Sequence, residues 1–144
     1  FESDSKEAEV ILGDGIHKTR YHPYALLSTS QLRNASFVAD VIVSRAGGGA
    51  IFEIAAWGVP AILIPIAASA QDHQRENAYN YARTGAAEVV EETNLTPHLL
   101  QAEIVKILDD SKRKTEMRRA ARTFARIDAA SKIANELVRL GLHE

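Results

Sequence analysis

The sequence predicts an α/β fold, a mostly parallel sheet with helices packed on it, because apolar runs of strand length alternate with helix-period segments. The stretch Ala39 to Pro65, ADVIVSRAGGGAIFEIAAWGVPAILIP, reads as strand, glycine turn, helix, strand, one βαβ unit. A further helix-period segment ends at Gly85 and is followed by the apolar run Ala87 to Val90. Neither a repeat nor a low-complexity linker interrupts this alternation.

The elements follow in chain order. Residues 1–7 are polar and charged and read as a disordered or cut end. Glu9 to Leu12 reads as a short strand stopped by Gly13-Asp14-Gly15, and Tyr21 to Tyr24, with its Pro23, reads as loop. Ser28 to Gln31 has capping-box spacing and opens a helix to about Val38. Val41 to Val43 is the next strand. Gly47-Gly48-Gly49 turns the chain into a helix carrying Ile51, Ile54 and Ala55, closed by Gly58 with Pro60 beyond. Ala61 to Ile64 is the strand after it. A second capping box, Ser69 to Asp72, opens a helix from Ala70 to about Arg83. Thr96 as N-cap, with Pro97 at the first helical position, starts a helix to about Asp110. Ser111–Ala125 and Ala129–Leu140 read as two last helices.

Composition narrows the function classes. The chain has 144 residues, 46% hydrophobic and 25% charged, enough for one domain with a real core. A net charge of −2 gives no global attraction to nucleic acid or anionic membrane. The lack of cysteine excludes disulfides and thiolate chemistry and fits a cytoplasmic protein. No apolar run approaches the ~20 residues that span a bilayer, and no signal peptide is visible. His17, His22, His98 and His143 show no ligand spacing, so no metal site is expected. Lys112, Arg113, Lys114, Arg118, Arg119, Arg122 and Arg126 spread around one helix and read as a solvated face. The first residue is Phe, so the chain reads as a piece of a longer one.

In a parallel sheet, ligands gather at the carboxyl ends of the strands. Ser44–Gly49 and Ala67–Gln74 both follow strands and share that edge. Gly47, Gly48 and Gly49 offer backbone amides at a positive helix end, a cradle for a phosphate; the same residues also suit a tight turn that binds nothing. Glu53 falls in about the first turn of that helix. A carboxylate can accept both hydroxyls of a ribose diol, or simply complement the helix dipole. Asp72, His73, Gln74 and Asn77 form a polar cluster; Asp72 reads as a cap, and Asn77 as a tie between the helix and a loop. Arg45 could neutralise a phosphate or anchor the glycine turn, and anchoring is favoured because the amides already serve the phosphate.

Three linked blocks, SRAGGGAIFEIAAWGVPAILIPI, QDHQRENA and TGAAEVVEE, resemble the donor-binding half of the MurG glycosyltransferases. The resemblance runs from about Val38 to the C-terminus and is strongest over Ala39 to Glu92. It implies a Rossmann-like sheet forming part of the C-terminal domain of a GT-B glycosyltransferase. The implied reaction is inverting transfer of N-acetylglucosamine from UDP-N-acetylglucosamine to lipid I in peptidoglycan synthesis, with no cofactor. By resemblance Gly47–Gly49 hold the diphosphate, Glu53 the ribose, and Gln74 the donor sugar. His73 stands where some members carry glutamine, and Arg45 matches a family arginine. The family's second glycine-rich loop and its N-terminal acceptor domain, with the expected base, find no match in residues 1–38. Residues 1–144 are therefore expected to be a partial donor domain, inactive alone and without a catalytic residue of its own. The parent enzyme is expected to be cytoplasmic and peripheral on the inner face of the membrane. Two other readings remain: a donor subunit or domain of another UDP-sugar transferase of the superfamily, or a non-catalytic α/β nucleotide-binding module.

Overall fold

The computed structural model describes Lys6, Val10 and residues 18–67 and 72–141. Their contacts group into two compact units, residues 1–35 and 36–144. In the first, Lys6 and Val10 are helical, so the strand expected over Glu9–Leu12 is not formed at Val10. A short apolar run fits either period, which is why the sequence misleads there. The rest of that segment, and Phe1–Ser5, lie outside the described residues. Tyr21–Tyr24 is irregular, as Pro23 requires. Helix α1, Thr29–Val38, opens on the expected capping box. The Ser28 amide donates to Gln31 Oε1 (2.9 Å), and the Gln31 amide donates to Ser28 Oγ (3.3 Å).

The second unit is built on three parallel strands, β1 (Ile42–Ser44), β2 (Ala61–Leu63) and β3 (Ala87–Val89), in spatial order β1-β2-β3. Ile42 aligns with Ala61 and Ala61 with Ala87. The crossovers are α2 (Gly48–Trp57) and α3 (His73–Ala82); α4 (Pro97–Leu108), α5 (Ser111–Phe124) and α6 (Ala129–Gly141) follow. Consecutive crossovers of the same hand place α2 and α3 on one face of the sheet. The core matches that arrangement. Ala61 and Leu63 point toward Ile51, Ile54, Ala55, Ala78 and Tyr81, whereas Ile62 and Ile64 meet Val90, just after β3, with Ile107 of α4 and Met117 of α5. Strand β2 is thus buried on both faces, and its sequence is an unbroken apolar run instead of an alternating one.

Helix ends follow their punctuation. Thr96 Oγ1 accepts from the Leu99 amide (3.1 Å) at the start of α4, and Asp110 Oδ1 from the Arg113 amide (2.8 Å) at the start of α5. Gly58 closes α2 in the left-handed conformation, φ 68°, with its N–H shared between the Ile54 and Ala55 carbonyls. Glycine is required there twice over: a Cβ would lie 2.6 Å from Arg122 Nε and 2.8 Å from Arg122 Cγ. The second expected capping box, Ser69 to Asp72, and the helix start at Ala70 fall mostly on residues 68–71, which lie outside the described set; the helix described there, α3, runs from His73. Asp72 precedes it in a left-handed conformation, φ 58°, and its side chain caps nothing. Aspartate is among the few side chains that tolerate this conformation, so the residue serves the turn through its backbone.

The basic helix α5 is not merely a solvated face. Arg113 pairs with Glu88, Lys114 Nζ reaches Asp40 Oδ1 (3.0 Å), and Arg118 donates to the Ala39 carbonyl (3.3 Å). These contacts hold α5 against the start of β1 and against β3. Among the described residues, no helix is long and apolar enough to cross a membrane.

Candidate functional site

The carboxyl ends of the three strands bring together Arg45–Gly49, the segment after Leu63, and Val90–Asn94. Gly47 is the N-cap of α2 and offers no side chain to the helix end. The first intrahelical bond runs from the Ile51 amide to the Gly47 carbonyl (3.1 Å). The amides of Gly48, Gly49 and Ala50 therefore have no helical carbonyl to donate to. None of the three glycines has a positive φ, and a Cβ on any of them would meet nothing within 4 Å. The turn is unstrained, so backbone conformation does not explain three successive glycines. The absence of side chains leaves the approach to these amides open.

Glu53 stands in the second turn of α2, and no acidic residue occupies the first. The expected dipole role is weakened by that position, since the helix-end field fades within one turn. The carboxylate is exposed and has no hydrogen-bond or ion-pair partner among the described residues. It is available to an outside partner.

Arg45 is tied down. Its Nη1 donates to the Ile64 carbonyl (3.3 Å), and its Nη2 pairs with Glu92 Oε1 (2.7 Å). The other Glu92 oxygen accepts from the Ala67 amide (2.9 Å). First the Ala67 amide, then the Arg45 guanidinium, hold the Glu92 carboxyl below the usual carboxylate range. Gln74 sits in the first turn of α3, and its Oε1 accepts from the Ile66 amide (3.2 Å). This leaves its two amide hydrogens to donate elsewhere. His73 is exposed at the first position of α3. Asn77 Nδ2 lies 3.5 Å from the Ala46 carbonyl, a weak tie between α3 and the glycine turn. Glu91 accepts from Tyr79 Oη (2.6 Å) and Arg75 Nε (3.0 Å), fixing the side of α3.

Glu91, Glu92 and Arg75 were not among the residues singled out from sequence. The signal was present: Glu91 and Glu92 directly follow β3, on the same edge as the glycine turn. A small cavity of about 250 Å³ opens here, lined by Ile66, Ala67, Asp72, Arg75, Glu91 and Asn94. A larger groove of about 810 Å³, lined by Gly85, Glu88, Arg113 and Arg119, lies at the opposite strand ends. Size favours the groove, but ligands of parallel sheets bind at the other edge, and Arg113 in the groove is already paired with Glu88. No group of three or more potential metal ligands occurs among the described residues.

The description "Glycosyltransferase family 28 C-terminal domain" matches residues 3–135. The chain belongs to this family. Relatives include UDP-N-acetylglucosamine–N-acetylmuramyl-(pentapeptide) pyrophosphoryl-undecaprenol N-acetylglucosamine transferases. That of Geobacter sulfurreducens is 40% identical over 100 residues, covering 69% of this chain and 28% of the relative. That of an Anaeromyxobacter species is 43% identical over 104 residues, 70% of this chain and 27% of the relative. The crystal structure of Acinetobacter baumannii MurG superposes with a TM-score of 0.69 at 30% identity, covering 79% of this chain and 33% of that one. The chain thus spans about a quarter to a third of the length of these family 28 proteins. Its fold is the parallel, helix-flanked sheet of a GT-B C-terminal domain. A structure of the glycosyltransferase VinC in complex with DTDP, at 22% identity and TM-score 0.66, shares that fold.

Proposed function

We propose that this chain binds UDP-N-acetylglucosamine at the carboxyl edge of its sheet, as the donor-binding part of an inverting transferase that glycosylates lipid I. The observation that carries the reading is the uncapped start of α2, three unstrained glycines presenting amides one turn before the exposed Glu53 carboxylate. Gly47–Gly49 hold the diphosphate, and Glu53 accepts from the ribose hydroxyls. Gln74 donates to sugar hydroxyls while its carbonyl oxygen holds the Ile66 amide. His73, beside Gln74, borders the sugar. Arg45, already shared between Ile64 and Glu92, anchors the edge instead of carrying the phosphate charge.

As the glycosidic bond breaks, charge grows on the leaving UDP. Helix-end amides fixed before reaction stabilise that charge without reorganising. The acceptor and the general base belong to an N-terminal domain outside these residues, in a parent that is cytoplasmic and peripheral on the membrane. Calorimetry with UDP and UDP-N-acetylglucosamine tests the binding directly. Absence of heat for both ligands at millimolar concentration would overturn the reading and favour a module with another ligand. Gln74→Ala should weaken UDP-N-acetylglucosamine while leaving UDP nearly unchanged; equal loss would place Gln74 on the nucleotide.

A further inference from the structure

Beyond β2 the chain leaves the sheet, and side chains take over the hydrogen bonds that the ladder no longer supplies. The last ladder bond there is the Ile64 amide to the Ser44 carbonyl (2.8 Å). Pro65 has no N–H to offer. The Ile64 carbonyl is then held by Arg45, the Ile66 amide by Gln74, and the Ala67 amide by Glu92. Glu92 and Arg45 each touch both the loop and one another, since the second Glu92 oxygen grips the Arg45 guanidinium. Glu92 lies 25 residues beyond Ala67 in sequence, after β3, so it locks the ends of all three strands into one arrangement.

We propose that Glu92 is a positioning residue for the sugar side of the donor site. The inference rests on the functional reading above and adds a residue to it. Glu92 fixes the Pro65–Ala67 segment, the backbone that seats Gln74 at the start of α3. On the nucleotide side it touches only Arg45, whereas Gly47–Gly49 and Glu53 ride on α2, which is held independently by Ile51, Ile54 and Ala55 in the core. Neighbouring Glu91 has a different task, holding the flank of α3 through Arg75 and Tyr79. Removing the Glu92 carboxylate therefore loosens one half of the site and leaves the other in place. It also frees the Arg45 cation, two residues before Gly47, which offsets any loss of diphosphate affinity.

The test compares wild type, Glu92→Ala, Glu92→Gln and Glu91→Gln by calorimetry with UDP and UDP-N-acetylglucosamine, and by amide exchange at Ala67. In Glu92→Ala, Ala67 exchange should accelerate about tenfold, and UDP-N-acetylglucosamine should bind about tenfold more weakly. UDP should stay within about threefold of wild type or tighten. Glu92→Gln keeps one acceptor oxygen, so it should recover part of the Ala67 protection, and it carries the test if the alanine variant does not fold. Glu91→Gln should leave Ala67 unchanged. Unaltered Ala67 exchange in Glu92→Ala, or equal weakening of both ligands, would overturn the positioning role. Wild-type failure to bind either ligand would instead overturn the functional reading and the sugar-placing role with it, while Ala67 exchange still judges the loop contact.

Discussion

Replacing Gly48 by alanine should move stability and ligand affinity in opposite directions. Gly48 is the first residue of α2, its φ is not positive, and a Cβ there meets nothing within 4 Å. The folded state therefore accepts the methyl group without strain. The unfolded chain loses backbone freedom, which stabilises the protein by roughly 0.4–1 kcal/mol. For a chain of this size that is an increase in Tm of about 1–4 °C. A phosphate oxygen receiving the neighbouring amides sits about 2.9 Å from nitrogen, inside the space the new methyl claims. Crowding of that kind costs about 1–3 kcal/mol, so UDP should bind about 5- to 150-fold more weakly. Thermal melts and calorimetry on the same preparation read both effects. A variant that melts higher and binds UDP as tightly as wild type would refute the diphosphate assignment. A lower Tm would show that the glycine serves the turn itself.

Three further outcomes are expected. Glu53→Ala should weaken UDP and UDP-N-acetylglucosamine together, on the order of tenfold or more, because both carry the ribose; calorimetry with each ligand checks this. Gly58→Ala should destabilise the fold by about 1–2 kcal/mol in urea titration, since it forces a side chain into the left-handed region against Arg122. Tyr81→Phe should leave stability unchanged or raise it by up to about 1 kcal/mol in the same assay. Among the described residues the buried Tyr81 hydroxyl has no hydrogen-bond partner, and burial pushes its pKa up to about 12.

Most of the second unit was legible because its punctuation is local. Gly58 with Pro60, Gly85, and Thr96-Pro97 each mark an end within a few residues, and the strands between them are short apolar runs. Positions that depend on three-dimensional closure were not legible. The Arg45–Glu92–Ala67 connection joins three separate strand ends, and no spacing rule links residues so far apart. Asp72 carries the residue type of a cap, yet the backbone there turns left-handed and its side chain makes no cap hydrogen bond. The glycine turn shows the converse: sequence revealed where it is, while only the dihedral angles reveal that it is relaxed. Val10 marks where a short apolar run is ambiguous by nature.

Burial of β2 on both faces has a consequence for how the chain comes into being. Most partners of Ala61 and Leu63 lie between Ile42 and Val89, with Ala120, Ala121, Phe124 and Ala125 added later, so much of that side can form once the third strand has emerged from a ribosome. The partners of Ile62 and Ile64 include Ile107 and Met117, which emerge later. Growing chains therefore pass through an interval with one oily side of the sheet largely covered and the other still wet. The last helices act as a lid fitted after the frame is standing, and it is the unlidded interval that most exposes this protein to sticking to its neighbours.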